Sequence, residues 1–362
     1  MISIAILATL SELEGLARDW GDLADHADST VYQTYGWSIA CGQFLPEPAL
    51  LRVMAVRDQS GLVGLAPFYV VQRPGIRHLR LVGAAVISRQ QAILARRGRE
   101  REVAEALAEA LLRDDGWDIL DIRDVPAWAT AVHHLQHVLA RHGCEVRTAA
   151  TREHRVIALP ETFDAYLASL QAGFRRELHR VARRLREAGA VERVVTDAGE
   201  RLQMLEVLFR LHHRRFADTG RRSTVTPRWM AFYRTLTERL GDCAVLNVLE
   251  TGPDRAPVAL DFSLVHGRHW HDRVASIDNE SPLRRFSPGN VLKLALIRQA
   301  IERGCREFDM AFGHEPYKVR LGATPRPLTS VHVVAARARS RVAAAAWDLG
   351  RRIVRTSRMV GI

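Results

Sequence analysis

The chain has 362 residues, 47% hydrophobic and 26% charged, a balance that excludes disordered and fibrous classes and, at ~150 residues per domain, suggests two domains. No apolar run reaches the ~18 residues that a membrane-spanning helix requires. The net charge is +11, yet lysine occurs only at Lys293 and Lys318; GC-rich coding produces such an arginine bias unaided, so charge alone does not argue for a polyanionic partner.

The opening MISIAILATL reads as a first strand. It lacks the basic n-region and small-residue cleavage site of a signal peptide, so a cytoplasmic location is expected. Leu50–Asp58 and Leu62–Val71 form a hairpin around Gly61, and RHLRLVG is a further short strand. An amphipathic helix over about 100–113, the alternating strand WDILDIRDV, and a helix over about 129–142 closed by Gly143 complete a first lobe, residues 1–150. Cys41, Cys144, Cys243 and Cys305 stand far apart, at neither metal nor redox spacings, and read as reduced.

The second lobe, 151–335, starts with the strand HRVIALP. In the stretch that follows, Phe174, Leu178, Val181 and Leu185 share one face of a long basic helix ended by Gly189. Next come the strand VERVVTD, a helix over 202–216, and a helix over 227–240 opened by Thr226 as N-cap and Pro227 as N1. CAVLNVLE and APVALDFSLVHG pair as a hairpin, RHWHDRVASID extends the sheet, SPGNVLKLALIRQAIERG is a helix and REFDMAFG the strand after it. The turn at Ser287, Pro288, Gly289 and Asn290 places backbone N–H groups at a helix start, where a pyrophosphate binds; an ordinary capped helix reads the same way. Residues 336–362 form a basic amphipathic tail, suited to an anionic inner leaflet or to packing as a last helix.

The string FSPGNVLKLALIRQAIERGCREFDMAFGHEPYKVRLGA, with YQTYGWSIA, LVGLAPFYV, WDILDIRDV and FRRELHRVARRLREAG in the same order, resembles the two-lobed GNAT-type acyltransferases associated with bacterial cellulose and exopolysaccharide biosynthesis, relatives of the Fem peptidyltransferases. The resemblance implies an α/β fold of tandem GNAT-like lobes, each a mixed, mostly antiparallel sheet flanked by helices, the first a degenerate copy. It further implies acyl transfer from acyl-CoA or acetyl-CoA as co-substrate to an amine or hydroxyl of a small-molecule or lipid-linked saccharide acceptor, an envelope or exopolysaccharide precursor. Arg284, Arg285, Ser287, Gly289, Asn290 and Val291 are then the CoA-binding candidates, although only one glycine stands where the family loop has several.

Amine acylation needs a base and a proton donor for the departing thiolate. Asp309, inside an apolar strand, is the first candidate base, with a raised pKa expected from burial; a structural ion pair is the competing reading. Glu315, Tyr317 and Lys318 are its expected neighbours, Tyr317 as acid and Lys318 as an anion contact. His271 is the alternative base, and since it and His269 find no third ligand, no metal is expected. Asp261 is either catalytic or paired. Arg175, Arg176 and Arg180 are candidates for a phosphorylated or polyanionic substrate, or a solvated face. Two alternatives remain: an aminoacyl-tRNA donor, the one case that would bring in nucleic acid, and an inactive GNAT-like binding module.

Overall fold

The computed structural model describes all residues except 1, 87–89, 219, 221–222, 224 and 360–362. In chain order its first part contains β1 (Ser3–Leu7), α1 (Leu10–Glu14), α2 (Ala17–Asp25), α3 (Tyr35–Gly42), β2 (Ala49–Asp58), β3 (Gly61–Arg73), β4 (Ile76–Leu81), β5 (Leu94–Ala95), α4 (Glu100–Arg113), β6 (Ile119–Val125), α5 (Thr130–Arg141) and β7 (Glu145–Ala150). The second part contains β8 (His154–Ala158), α6 (Phe163–Ser169), α7 (Ala172–Glu187), β9 (Val191–Val194), α8 (Ala198–Asp218), α9 (Pro227–Leu240), β10 (Ala244–Thr251), β11 (Ala256–His266), β12 (His269–Ile277), α10 (Pro288–Glu302), β13 (Glu307–Phe312), α11 (Pro316–Arg320) and β14 (Thr324–Arg326). The chain ends with β15 (Thr329–Val334) and α12 (Ala338–Met359).

Two compact units result, one from 1–152 with 327–362, the other from 153–326. The first is built on a sheet ordered β1-β2-β3-β4-β6-β15-β7, with β5 on β3. The period of two along β2 sends Met54 and Val56 to one core and Val53 and Ala55 to another, so both faces are covered. Val103, Leu107 and Leu111 of α4 recur at helical spacing on the first face, and Trp20 and Leu23 of α2 cover the second. A Cβ at Gly64 would lie 2.3 Å from Val103 Cγ1, so glycine there is what lets α4 approach β3.

The second lobe, expected to run to 335, ends at Arg326. β15 instead pairs antiparallel with β6 and β7, because Val331 and Val333 complete the apolar face of the first core. The tail then lies against the same unit: Ser340 Oγ donates to Asp118 Oδ1 at 2.7 Å, and the Trp347 ring meets His78 edge-on at 5.1 Å. The expected amphipathic pattern also rests on Arg351, Arg352, Ile353, Val354, Arg355 and Arg358, whose side chains lie outside the described residues. Among the described residues no helix is long and apolar enough to cross a membrane.

The sheet of the second unit is ordered β14-β8-β13-β12-β11-β10-β9. The long basic helix, α7, is preceded by a separate short one, α6, because Leu170 and Gln171 are extended and Leu170 turns into the core beside Tyr166 and Phe174. Phe174, Leu178, Val181 and Leu185 are all buried, as their spacing requires, and truncating such a leucine to alanine costs ~2–5 kcal/mol. α9 starts where its signals place it, with the Thr226 side chain accepting from the Trp229 N–H. Every strand pair in this sheet is antiparallel except β12–β13, which are paired only from His269/Glu307 to His271/Asp309. Beyond that point β12 runs on to Ile277 and β13 to Phe312, so the sheet opens, and a bulge at Phe262/Ser263 adds one residue to β12 just where it leaves its partner.

Candidate functional site

Beside this opening, three elements contribute charge to one buried cluster. Asp261 of β11 is 0% exposed; its Oδ2 accepts from Lys293 Nζ of α10, and its Oδ1 accepts from Ser263 Oγ at 2.6 Å. Lys293 Nζ also lies 2.5 Å from Asp272 Oδ2 of β12. Burial pushes the Asp261 carboxyl up to about 7 against the pull of Lys293, with Asp272 adding repulsion. Burial alone would lower the Lys293 ammonium, and the two carboxylates override it, so the lysine stays charged. Two carboxylates sharing one ammonium leave Asp261 able to exchange a proton near neutral pH.

A cavity of about 190 Å³ adjoins the cluster and is lined by Asp261, Lys293, Ser276, Tyr317 and the first turn of α10. Burial raises the Tyr317 phenol well above its ordinary range, which keeps it protonated at neutral pH. Ser276 is 2% exposed and its Oγ has no hydrogen-bond partner among the described residues. At the helix start, Ser287 adopts a left-handed conformation and caps no N–H with its side chain. The Asn290 and Val291 N–H groups reach only the Ser287 carbonyl, at 3.0 and 3.3 Å, so no side chain blocks this end. Gly289 lines the cavity, and a Cβ there would come 3.3 Å from Ile277 Cγ2. Arg284 and Arg285 precede the turn on the exposed side, Arg285 resting 4.8 Å from the Phe286 ring.

The expectation for Asp309 is reversed. Burial would raise its carboxyl, but His154 Nδ1 at 2.7 Å and His271 Nδ1 at 3.4 Å outweigh burial, and the group is held far below the carboxylate range. Its other oxygen accepts the Ala311 N–H at 2.7 Å. Asp309 is a fixed anion at neutral pH, which makes it a poor proton acceptor and bears out the paired reading, with histidines in place of the lysine or arginine anticipated. His271, the alternative base, is walled in with it; burial, offset only in part by Asp309, lowers its imidazole below the ordinary value. Neither residue lines the cavity.

The structure separates the remaining candidates. Lys318 is buried, bonded to the Phe312 carbonyl and 3.0 Å from Glu315, so it ties α11 to the end of β13 and offers nothing to an anion. Glu315, though burial acts to raise it, is held below the ordinary range by that lysine. Arg175 donates to the Leu167 and Ala168 carbonyls at 3.2 and 3.4 Å and joins α7 to α6. Arg176 and Arg180 are exposed on α7, and none of the three lines the cavity. Sequence reasoning passed over Lys293, Asp272 and His154. A lysine inside NVLKLALI, apolar on all sides, was a readable signal of a buried charge that requires a partner; for His154 no local signal existed.

Residues 172–319 match the family model described as an Acetyltransferase (GNAT) domain. No curated protein matches the chain. Among solved structures it is similar to a crystal structure of FemX, with a TM-score of 0.68 at 12% identity, covering 88% of this chain and 96% of that one. It is also similar to the C-terminal domain of a putative lysylphosphatidylglycerol synthetase from Agrobacterium fabrum (TM-score 0.54, 12% identity, 93% and 96% covered). A third likeness is to L-PGS from Bacillus licheniformis (TM-score 0.54, 13% identity, 96% and 97% covered). The chain therefore shares the mixed α/β fold of these structures along most of its length, and residues 172–319 of its second unit resemble a GNAT acetyltransferase domain.

Proposed function

We propose that the chain is an acyl-CoA-dependent N-acyltransferase whose chemistry takes place in the second unit. The observation that carries this reading is a cavity lined at once by Asp261, Tyr317 and the open helix start at Gly289 and Asn290. The diphosphate of the donor is assigned to that helix start, where amide hydrogens and the helix dipole favour an anion, with Arg284 and Arg285 supplying charge. Asp261 takes one proton of the attacking ammonium and later releases it to solvent, the freed amine adds to the thioester carbonyl, and the tetrahedral intermediate collapses as Tyr317 passes its phenolic proton to the departing thiolate and regains a proton from the nitrogen, leaving a neutral amide and a thiol. Lys293 holds Asp261 in place and stabilises its anionic form between turnovers. No covalent enzyme intermediate is needed. An envelope or polysaccharide precursor as acceptor rests on the sequence resemblance of residues 286–323.

Donor class is tested by thermal shift of the whole chain with acetyl-CoA, longer acyl-CoAs, free CoA and aminoacyl-tRNA. A ligand at a hundred times its Kd stabilises the native state by ~2.7 kcal/mol. Stabilisation by an acyl-CoA, weakened in Arg284→Gln/Arg285→Gln, supports the proposal. Stabilisation by aminoacyl-tRNA alone would transfer the site to that donor.

A further inference from the structure

α10 has a second working face. Gly289, Asn290, Leu292 and Lys293 border the polar cavity, whereas Val291, Leu294, Ala295 and Arg298, spaced i, i+3, i+4, i+7, border a separate groove of about 520 Å³. Its floor is aliphatic: Leu185 of α7, Leu249 of β10, and Leu294 and Ala295 are all buried. α7 ends beside it at Gly189, whose positive φ of 74° turns the chain without a side chain to fill the space. The rim carries His179 and Arg186 of α7, Glu192 of β9, and Arg298, whose guanidinium lies 4.5 Å over the Phe163 ring. Arg186 has no ion-pair partner among the described residues. The Glu192 carboxyl is raised by burial even though Arg298 pulls it down. The lining thus holds two arginines and one carboxyl whose charged form burial disfavours.

We infer that this groove binds a free single-chain anionic amphiphile of the fatty-acid class, its alkyl chain on the leucine floor and its carboxylate between Arg186 and Arg298. The volume falls within the ~300–1,000 Å³ of small-molecule sites. The side chains of Leu185, Leu249, Leu294 and Ala295 offer no hydrogen bond, so a sugar or peptide lying on them would bury polar atoms unpaired, and guanidinium groups suit a carboxylate. The inference goes beyond the transfer reaction and uses none of its residues.

The test is calorimetric titration of the full chain with dodecanoate below its micelle concentration, beside neutral dodecanol, acetyl-CoA competition and anionic phospholipid vesicles. One dodecanoate per chain should bind. Arg186→Gln/Arg298→Gln should weaken it at least about tenfold, and Ala182→Trp, which fills the groove from its rim, should abolish binding with the melting temperature retained. Four results would each overturn the inference: dodecanol binding equally well, insensitivity to both variants, association only with vesicles, or displacement by acetyl-CoA, which would place the chain in the polar cavity.

Discussion

Both units contain a parallel strand pair joined through a helix, β4–α4–β6 in the first and β12–α10–β13 in the second, yet they treat the start of that helix in opposite ways. α4 opens with Glu100 and Glu102, which put two carboxylates in its first turn although no side chain caps its amides. α10 opens with no acidic residue and no side-chain cap. An anion is repelled at the first and favoured at the second. The aspartates beside the two pairs differ likewise. Asp121 is met by Arg80 at 3.2 Å and Arg123 at 3.0 Å, side chains that reach solvent, whereas Asp309 is met by two buried histidines, next to a sheet that opens and a polar cavity. The aspartate of the first pair is held by guanidinium groups that reach solvent, and that of the second by imidazoles that do not.

The largest expected effect breaks or upholds that division directly. Asp261→Asn removes the proton acceptor at constant shape, so turnover should fall ~10²–10⁴-fold with donor affinity unchanged. Because the base must be unprotonated, wild-type kcat should rise with pH through about 7, the value to which burial pushes Asp261, and the variant should lose that limb. Asp121→Asn in the first unit should leave turnover within about twofold. An equal loss from both variants in steady-state assays would end the comparison.

Asp309→Asn should act on stability. It leaves His154 and His271 buried beside a neutral amide, and breaking a buried pair of this kind costs ~3–5 kcal/mol, visible as a lower urea midpoint with an unchanged slope. A variant of native stability but no activity would return Asp309 to the role of base. A smaller effect sharpens the contrast of helix starts. Asn290→Asp gives α10 the acidity α4 already has and should weaken acetyl-CoA binding about tenfold by calorimetry, the scale of one charge against a helix dipole. Unaltered affinity would place the donor elsewhere.

What could be read in the sequence follows from how local each signal is. The face of α7, the Thr226–Pro227 start of α9 and the β2–β3 hairpin around Gly61 are written within a short stretch of chain, and the structure keeps them. The partners of Asp309 are not, because His154 comes to it across the β8–β13 register from 155 residues away and the net sign of its shift depends on who arrives. Burial alone predicts a raised carboxyl, and two imidazoles reverse it. Asp261 was readable as an anomaly within VALDFSLV, but only Lys293 and Asp272 explain its state. β15 looked like the end of the second lobe because order along the chain says nothing about which sheet has a free edge.

Acid should separate two buried groups, His78 on β4 and Asp261 on β11, by the sign of their response. In the first unit, burial pushes His78 down to about 4, with the Arg80, His332 and Arg73 charges adding to it and Asp121 opposing. Between its unfolded value of ~6.5 and 4 the unfolded chain therefore binds a proton that the folded one refuses, so the unit loses stability as pH falls, by up to ~1.4 kcal/mol per pH unit. Asp261 behaves the opposite way: its folded value, about 7, is raised above the unfolded ~3.9, so over that interval the folded state binds the extra proton and stability falls as pH rises. Hydrogen exchange resolved by unit, at pH 4.5, 5.5 and 6.5, should show protection of the first sheet rising with pH and that around β11 falling. His78→Leu should flatten the first trend and Asp261→Asn the second. If His78→Leu left the first trend intact, or Asp261→Asn the second, the opposed titrations of these two groups would be refuted.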